Sequence, residues 1–271
     1  MKTILSLLLT CTLLMGCASA LADTEIIVFA AASMTETMNT IKEAYEAANP
    51  GITITYNFDS SGTLKTQIQE GADCDLFISA AQKQMNQMDI TASPEVNTEG
   101  LDIVDTETRI NLVENKVTLA VPEGNPKGIE SFDQAAALLK EGEILLAIGN
   151  SDVPVGQYTQ KIFAFYGIDE SAAAGKLTYG SNVKEVTTQV SEASVDAGII
   201  YGTDAFSAGL QVVDEATAEM CGGQVIYPAA VLKTAKHPEE AKAFLAYLQT
   251  EEASAVFAGV GFTPVAAGKA E

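Results

Sequence analysis

The chain has 271 residues, of which 47% are hydrophobic and 19% charged, with no tryptophan and a single histidine, His237. That balance describes a packed globular protein built as one large domain or two lobes, and it excludes a disordered chain. A formal charge of −21 repels nucleic acid and anionic membrane surfaces, which removes both as partners.

Residues 1–16 read as a leader. Lys2 precedes an apolar stretch over 3–15 that is too short to span a bilayer comfortably. The stretch ends in Leu14-Met15-Gly16-Cys17, which resembles a bacterial lipobox. The resemblance implies cleavage before Cys17, lipidation of its thiol and a membrane tether made only of acyl chains. A secretory signal cut after Ala20 or Ala22 is the plainer reading. Cys11 leaves with the leader, so Cys74 and Cys221 remain. Export would permit one bridge between them, but the spacing does not require it, and two buried free thiols are expected.

From Glu25 onward, short β-branched runs alternate with amphipathic segments. Strands are expected over 26–29, 52–58 and 75–79, with helices over 34–48, 63–71 and 82–88. Residues 91–111 read as a surface connection leading to an apolar strand over 116–121. A second series follows: helix 131–140, strand 144–149, helix 158–166, strand 177–179, helix 183–190 and strand 197–201. A strand near 210–213, a long apolar strand over 224–232 and helices over 238–250 and 251–257 complete the chain. This alternation predicts an α/β fold with mostly parallel sheets flanked by helices. The two long apolar strands imply two lobes joined by hinge strands. The first lobe takes 24–112 with 226–271, and the second takes 113–225.

The strand-to-helix junctions share a chemistry. Phe29-Ala-Ala-Ala-Ser33, Phe58-Asp-Ser-Ser61-Gly-Thr, Ile78-Ser-Ala-Ala81, Val153-Pro-Val-Gly156 and Gly180-Ser-Asn-Val183 are small and nearly uncharged. Each offers backbone N–H groups without intrahelical acceptors at the positive end of a helix dipole. Open α/β sheets bind ligands at the carboxyl ends of their strands, where these turns lie. Singly, Ser33, Ser61 and Ser181 read as ordinary N-caps; together, from both lobes, the junctions suit an anion.

Rival chemistries find little support. His237 lies in KHPEE and reads as a surface residue, and no GxSxG, CxxC, HExxH or P-loop pattern occurs. One histidine and two dispersed cysteines argue against a transition-metal cation site. An exported hydrolase would need a nucleophile–base pair that the sequence does not present.

Four segments, FAAASM, SSGTLKTQIQEGADCDLFISA, VPVGQY and GIIYGTDA, in that order, resemble the periplasmic molybdate-binding proteins of ABC transporters. The resemblance spans nearly all of 25–264. It implies a two-lobed type II periplasmic-binding fold, no enzymatic activity, no cofactor and a monomer that passes molybdate or tungstate to a membrane permease. A sulfate receptor, or one for another small anion, is the alternative within the same fold, and a tethered sensor is a minor variant. Motif by motif, the implied oxyanion contacts are the hydroxyls of Ser33, Ser61 and Tyr201 and the backbone at Ala80, Val155 and Val183. Ser33, Ser61 and Val183 would touch the oxygens of the metal oxide, with no protein atom bound to the metal itself. Val155 stands where alanine is usual, Gly62 where a third serine is often seen, and Cys74 where proline or alanine is frequent.

Overall fold

The computed structural model describes residues 24–265. The leader and Cys17 lie outside the described residues. The chain opens with β1 (Thr24–Ala31), a 3-10 turn (Ala32–Met34) and α1 (Thr35–Ala48). There follow β2 (Ile52–Asp59), α2 (Ser61–Gln69), β3 (Leu76–Ile78), α3 (Gln82–Asn86) and β4 (Ile110–Asn115). The second series is β5 (Val117–Val121), α4 (Phe132–Glu141), β6 (Leu146–Gly149), α5 (Pro154–Tyr166) and α6 (Glu170–Ala173). It continues through β7 (Leu177–Gly180), α7 (Val183–Ser191), β8 (Ala197–Tyr201), α8 (Gly202–Ala208), β9 (Gln211–Glu215) and α9 (Ala218–Cys221). The chain returns with β10 (Val225–Val231), α10 (Pro238–Tyr247), α11 (Glu251–Gly259) and β11 (Thr263–Pro264).

Two sheets result, flanked by helices: β11-β4-β10-β3-β1-β2 and β7-β6-β8-β5-β9. The α/β two-sheet plan agrees with the expectation, but the sheets are mixed. β1 pairs in parallel with β2 and β3, and β6 with β7 and β8; β10 and β5 run antiparallel to their neighbours. The reason is connectivity. A strand that enters from the other sheet has no crossover helix to reverse it, so it pairs head to tail. β4 lies wholly in the first sheet and β5 wholly in the second, so the first crossing falls at Lys116, after the boundary placed at 112. The return crossing lies between β9 and β10.

Residues 91–111 are not a loose connection. Buried Asn97 donates from Nδ2 to the carbonyls of Asp89 and Leu101 and accepts the Leu101 N–H. Arg109 reaches back to Asp89 at 2.6 Å and bonds the side chains of Gln82 and Asn86 on α3. These bonds pin a connection that is otherwise mostly exposed and has no regular element before Ile110, in line with the surface connection expected. α5 starts at Pro154 rather than near 158, because proline fits the first helical position. α8, a single two-turn helix, was not expected at all.

Asp75, 2% exposed, sits just before β3 and ties three segments together. Its Oδ2 accepts the Ile27 N–H, while Oδ1 accepts those of Lys236 and His237 ahead of α10. Bonds to a charged acceptor contribute about 1.5–3 kcal/mol each, and deletion leaves buried donors unmatched. Asp75→Ala should therefore lose at least about 3 kcal/mol of stability in urea unfolding, and Asp75→Asn less; equal midpoints for Asp75→Ala and the parent would refute this role.

Candidate functional site

All five small-residue junctions end on the same line of the structure, between the two sheets. One small cavity there is lined by Ser33, Ser61, Ala80, Val155, Val183 and Tyr201, drawn from both sheets. Ala31, Ala32, Asp59, Ser60, Val153 and Pro154 complete its wall. The cavity is small. No lysine or arginine lines it. The one carboxylate among the residues lining it, Asp59, has Oδ1 engaged by the Ser60 N–H at 2.7 Å and lying 3.5 Å from the Asn182 amide.

The serines are not N-caps. Ser60 caps α2 by accepting the Thr63 N–H, Asn182 caps α7, and Ser33 lies inside the 3-10 turn with no capping bond. That frees Ser33 and Ser61 for another task, and both are buried, at 4% and 0% exposed. The Ala80 N–H donates to Ser61 Oγ at 2.9 Å. The donor expected from Ala80 is therefore spent on the serine, and the serine's own proton remains to be given. Ser33 is held in the same way from the other side. Asn115 Nδ2 donates to the Tyr227 hydroxyl at 3.0 Å, and Tyr227 Oη lies 2.9 Å from Ser33 Oγ. With the Tyr227 proton on Ser33 Oγ, the Ser33 O–H is left to point at a guest. Asn115 also bonds Thr203 Oγ1 at 2.9 Å.

Val155 and Val183 occupy the first turns of α5 and α7, where backbone N–H groups have no intrahelical acceptor. The Tyr201 hydroxyl is fully buried without a hydrogen-bond partner among the described residues. Buried polar groups are seldom left so unless a ligand completes them. Burial, together with the negative groups around them, raises the pKa of Tyr201 and Tyr227 well above the usual phenol value. Both hydroxyls therefore keep their protons and act as neutral donors.

Sequence reasoning missed Tyr227, Asn115 and Thr203. A hydroxyl in the middle of the apolar run QVIYPAAVL was the available signal for Tyr227. Also missed was a charged clasp beside the cavity. Lys184, next to Val183 on α7, reaches Glu36 on α1 at 2.8 Å and Asp204 on α8 at 3.2 Å. It thus joins the two sheets across the cleft. Close packing reinforces the join: a Cβ on Gly62 would stand 2.3 Å from the Asp152 carbonyl oxygen of the opposite side. Only glycine permits that approach.

Cys74 and Cys221 are both buried and unpaired. Among the described residues, no group of three or more His, Cys, Asp or Glu side chains is arranged to hold a metal ion.

A fold of two sheets around a donor-lined cavity is that of a receptor for a small solute. The chain belongs to the bacterial extracellular solute-binding protein family, whose model matches residues 26–263. It is thus a binding protein rather than an enzyme, and it works outside the cytoplasm as a component of ABC transport. It is 34% identical over 259 residues to the "Putative ABC transporter substrate-binding lipoprotein YvgL" of Bacillus subtilis, with 93% of each chain covered. It is also 34% identical over 251 residues to the molybdate-binding protein ModA of Escherichia coli, covering 90% of this chain and 91% of that one. Among solved structures, the Azotobacter vinelandii periplasmic molybdate-binding protein matches with a TM-score of 0.73 at 17% identity, over 88% of this chain and 98% of that one. The sulfate-binding protein SubI of Mycobacterium tuberculosis matches at 0.68 and 20% identity, over 89% and 87%. The fold alone therefore does not choose the anion.

Asp204 is fully buried, and burial, only partly offset by Lys184, pushes its carboxyl up to about 6. A carboxyl whose folded pKa is raised lends stability below its unfolded value of about 3.8, and that contribution fades as pH rises through about 6. Asp204→Asn, neutral at every pH, should gain on the parent by up to about 3 kcal/mol between pH 4 and pH 7. Urea midpoints across that range measure it, and a pH-independent difference would refute the assignment.

Proposed function

We propose that this chain captures molybdate, or its near twin tungstate, in the cavity between the lobes and hands it to an ABC permease. The observation that carries the reading is the meeting of Ser33, Ser61, Val155, Val183 and Tyr201 around one small cavity. Molybdate is a tetrahedral dianion without protons at neutral pH, so it accepts hydrogen bonds and donates none. Hydroxyls with a spare proton and helix first-turn amides match it. A monoprotonated phosphate would set its own O–H against one of these donors. Similarity to ModA supports the choice of molybdate. Sulfate, equally free of protons, is the second reading, and the likeness to SubI keeps it in view.

Fixed neutral donors do without a lysine in the cavity because they are already oriented, whereas a long cationic side chain must first be ordered. Each bond to the dianion contributes about 1.5–3 kcal/mol gross. Dehydration of the guest and ordering of the lobes offset much of that sum. We read the two lobes, between which the chain passes at Lys116 and again between β9 and β10, as jaws that close on the anion. Lys184, Glu36 and Gly62 would then bear on closure. We further read residues 1–16 as a cleaved signal and Cys17 as a lipidated anchor, with the mature protein a monomer on the outer face of the membrane. The word lipoprotein in the name of YvgL supports that reading; the mass of the mature N-terminus tests it.

Calorimetric titration with molybdate, tungstate and sulfate tests the ligand. Ser33→Ala should weaken molybdate binding by about ten- to 150-fold, one charge-assisted bond's worth. Tyr201→Phe should weaken it less, since the amides and serines survive. Unchanged affinity in Ser33→Ala would remove that residue from the site. Tighter binding of sulfate than molybdate by the parent would replace the ligand. Gly62→Ala should lower affinity about five- to 150-fold by holding the lobes apart at Asp152, without loss of thermal stability in the ligand-free protein. Full affinity in that variant would mean closure does not need the contact.

A further inference from the structure

We propose that the groove carrying Lys83 and Lys161 is the port by which the anion reaches the cavity, an electrostatic encounter site in an otherwise repulsive protein. The inference rests on reading the cavity as an oxyanion site. Among the described residues, every lysine and arginine is tied to a carboxylate or a backbone carbonyl except Lys65, Lys83, Lys161 and Lys176. Three of these four lie on two grooves that flank the cleft. In a protein of charge −21, cations that form no ion pair and yet gather at one opening are out of keeping with the rest of the surface.

The two grooves differ in balance. One sets Lys65 and Lys83 against Glu70 and Asp152. The other has Lys83 from the first lobe and Lys161 from the second, with amides from Gln82, Gln157, Gln160 and Gln224, and no carboxylate among the described residues on its wall. Its wall also adjoins that of the cavity along the chain. Ala80 lines the cavity and Ala81 the groove; on α5, Val155 lines the cavity, and Gln157, Tyr158 and Lys161 line the groove. Lys161 Nζ rests 5.1 Å from the centre of the Tyr158 ring, which holds the cation at the wall while leaving its charge unneutralised.

Physically, the net charge repels a dianion at long range, but salt screens that field within about 8 Å. Inside that distance the nearest charges decide. Two exposed ammonium groups raise the local concentration of anion at the mouth and hence the association rate. The cavity itself holds no cation, so the hydrated lysines would capture the ion and the desolvated donors would retain it. Arrival and retention are then handled by different residues.

Stopped-flow tyrosine fluorescence on the full chain tests this, since the chain has eight tyrosines and no tryptophan. In K83Q/K161Q the association rate should fall about three- to tenfold at roughly 10 mM salt, converge with the parent near 500 mM, and leave the dissociation rate unchanged. K176Q, which removes the unpaired lysine that lines neither groove, should match the parent. Equal low-salt association rates in K83Q/K161Q and the parent would overturn the port, as would an equal loss in K176Q. Equilibrium titration of the parent with molybdate and sulfate reports separately on the cavity, and the rates are taken with whichever binds. A parent that takes up neither overturns both readings.

Discussion

The first turn of an α-helix has backbone N–H groups that nothing inside the helix can accept. In this protein several such turns are brought to one buried line, where water is scarce and each unmatched donor carries a penalty. The two sheets achieve this because their parallel strands all end at the same seam, and each strand passes directly into a helix. The cavity, the small residues around it and the absence of bulky caps all follow from that convergence. A charged or branched side chain at Ala31, Ala32 or Ala80 would fill the space or block the backbone.

The serines add directionality to this field. Each is bonded from behind: Ser61 accepts the Ala80 amide, and Ser33 shares a bond with the Tyr227 hydroxyl, which itself accepts from Asn115. A hydroxyl that already accepts one bond has its proton ready to give, and the chain of bonds polarises it further. Asn115 stands at the end of β4, immediately before the chain crosses between sheets, so the same residue anchors both the crossing and the site. Its bond to Thr203 on α8 extends that link into the second lobe.

Cations are kept at the margin of the cavity. Lys184 spans the cleft between Glu36 and the buried Asp204, and the unpaired lysines sit farther out. A fixed cation in the cavity would hold any anion strongly and select poorly. Neutral donors of set geometry discriminate by shape and by the number of protons on the guest.

The alternation of β-branched runs with amphipathic stretches by itself determined the α/β class, because strand and helix bury apolar residues at different periods. It also placed most elements within a few residues; the small, nearly uncharged junctions pointed to an anion, and the family resemblance, not local pattern, named Ser33, Ser61, Ala80, Val155, Val183 and Tyr201. What it could not carry were relations between distant positions. The antiparallel entry of β5 and β10, the internal bonding of Asn97 and Arg109, and the identity of Ser60 as the cap beside Ser61 depend on which segments meet. Tyr227 and Asn115 bond across 112 positions of sequence, and Lys184 finds Glu36 across 148. Local pattern records the preference of a segment; only the packed chain decides which preferences share a cavity.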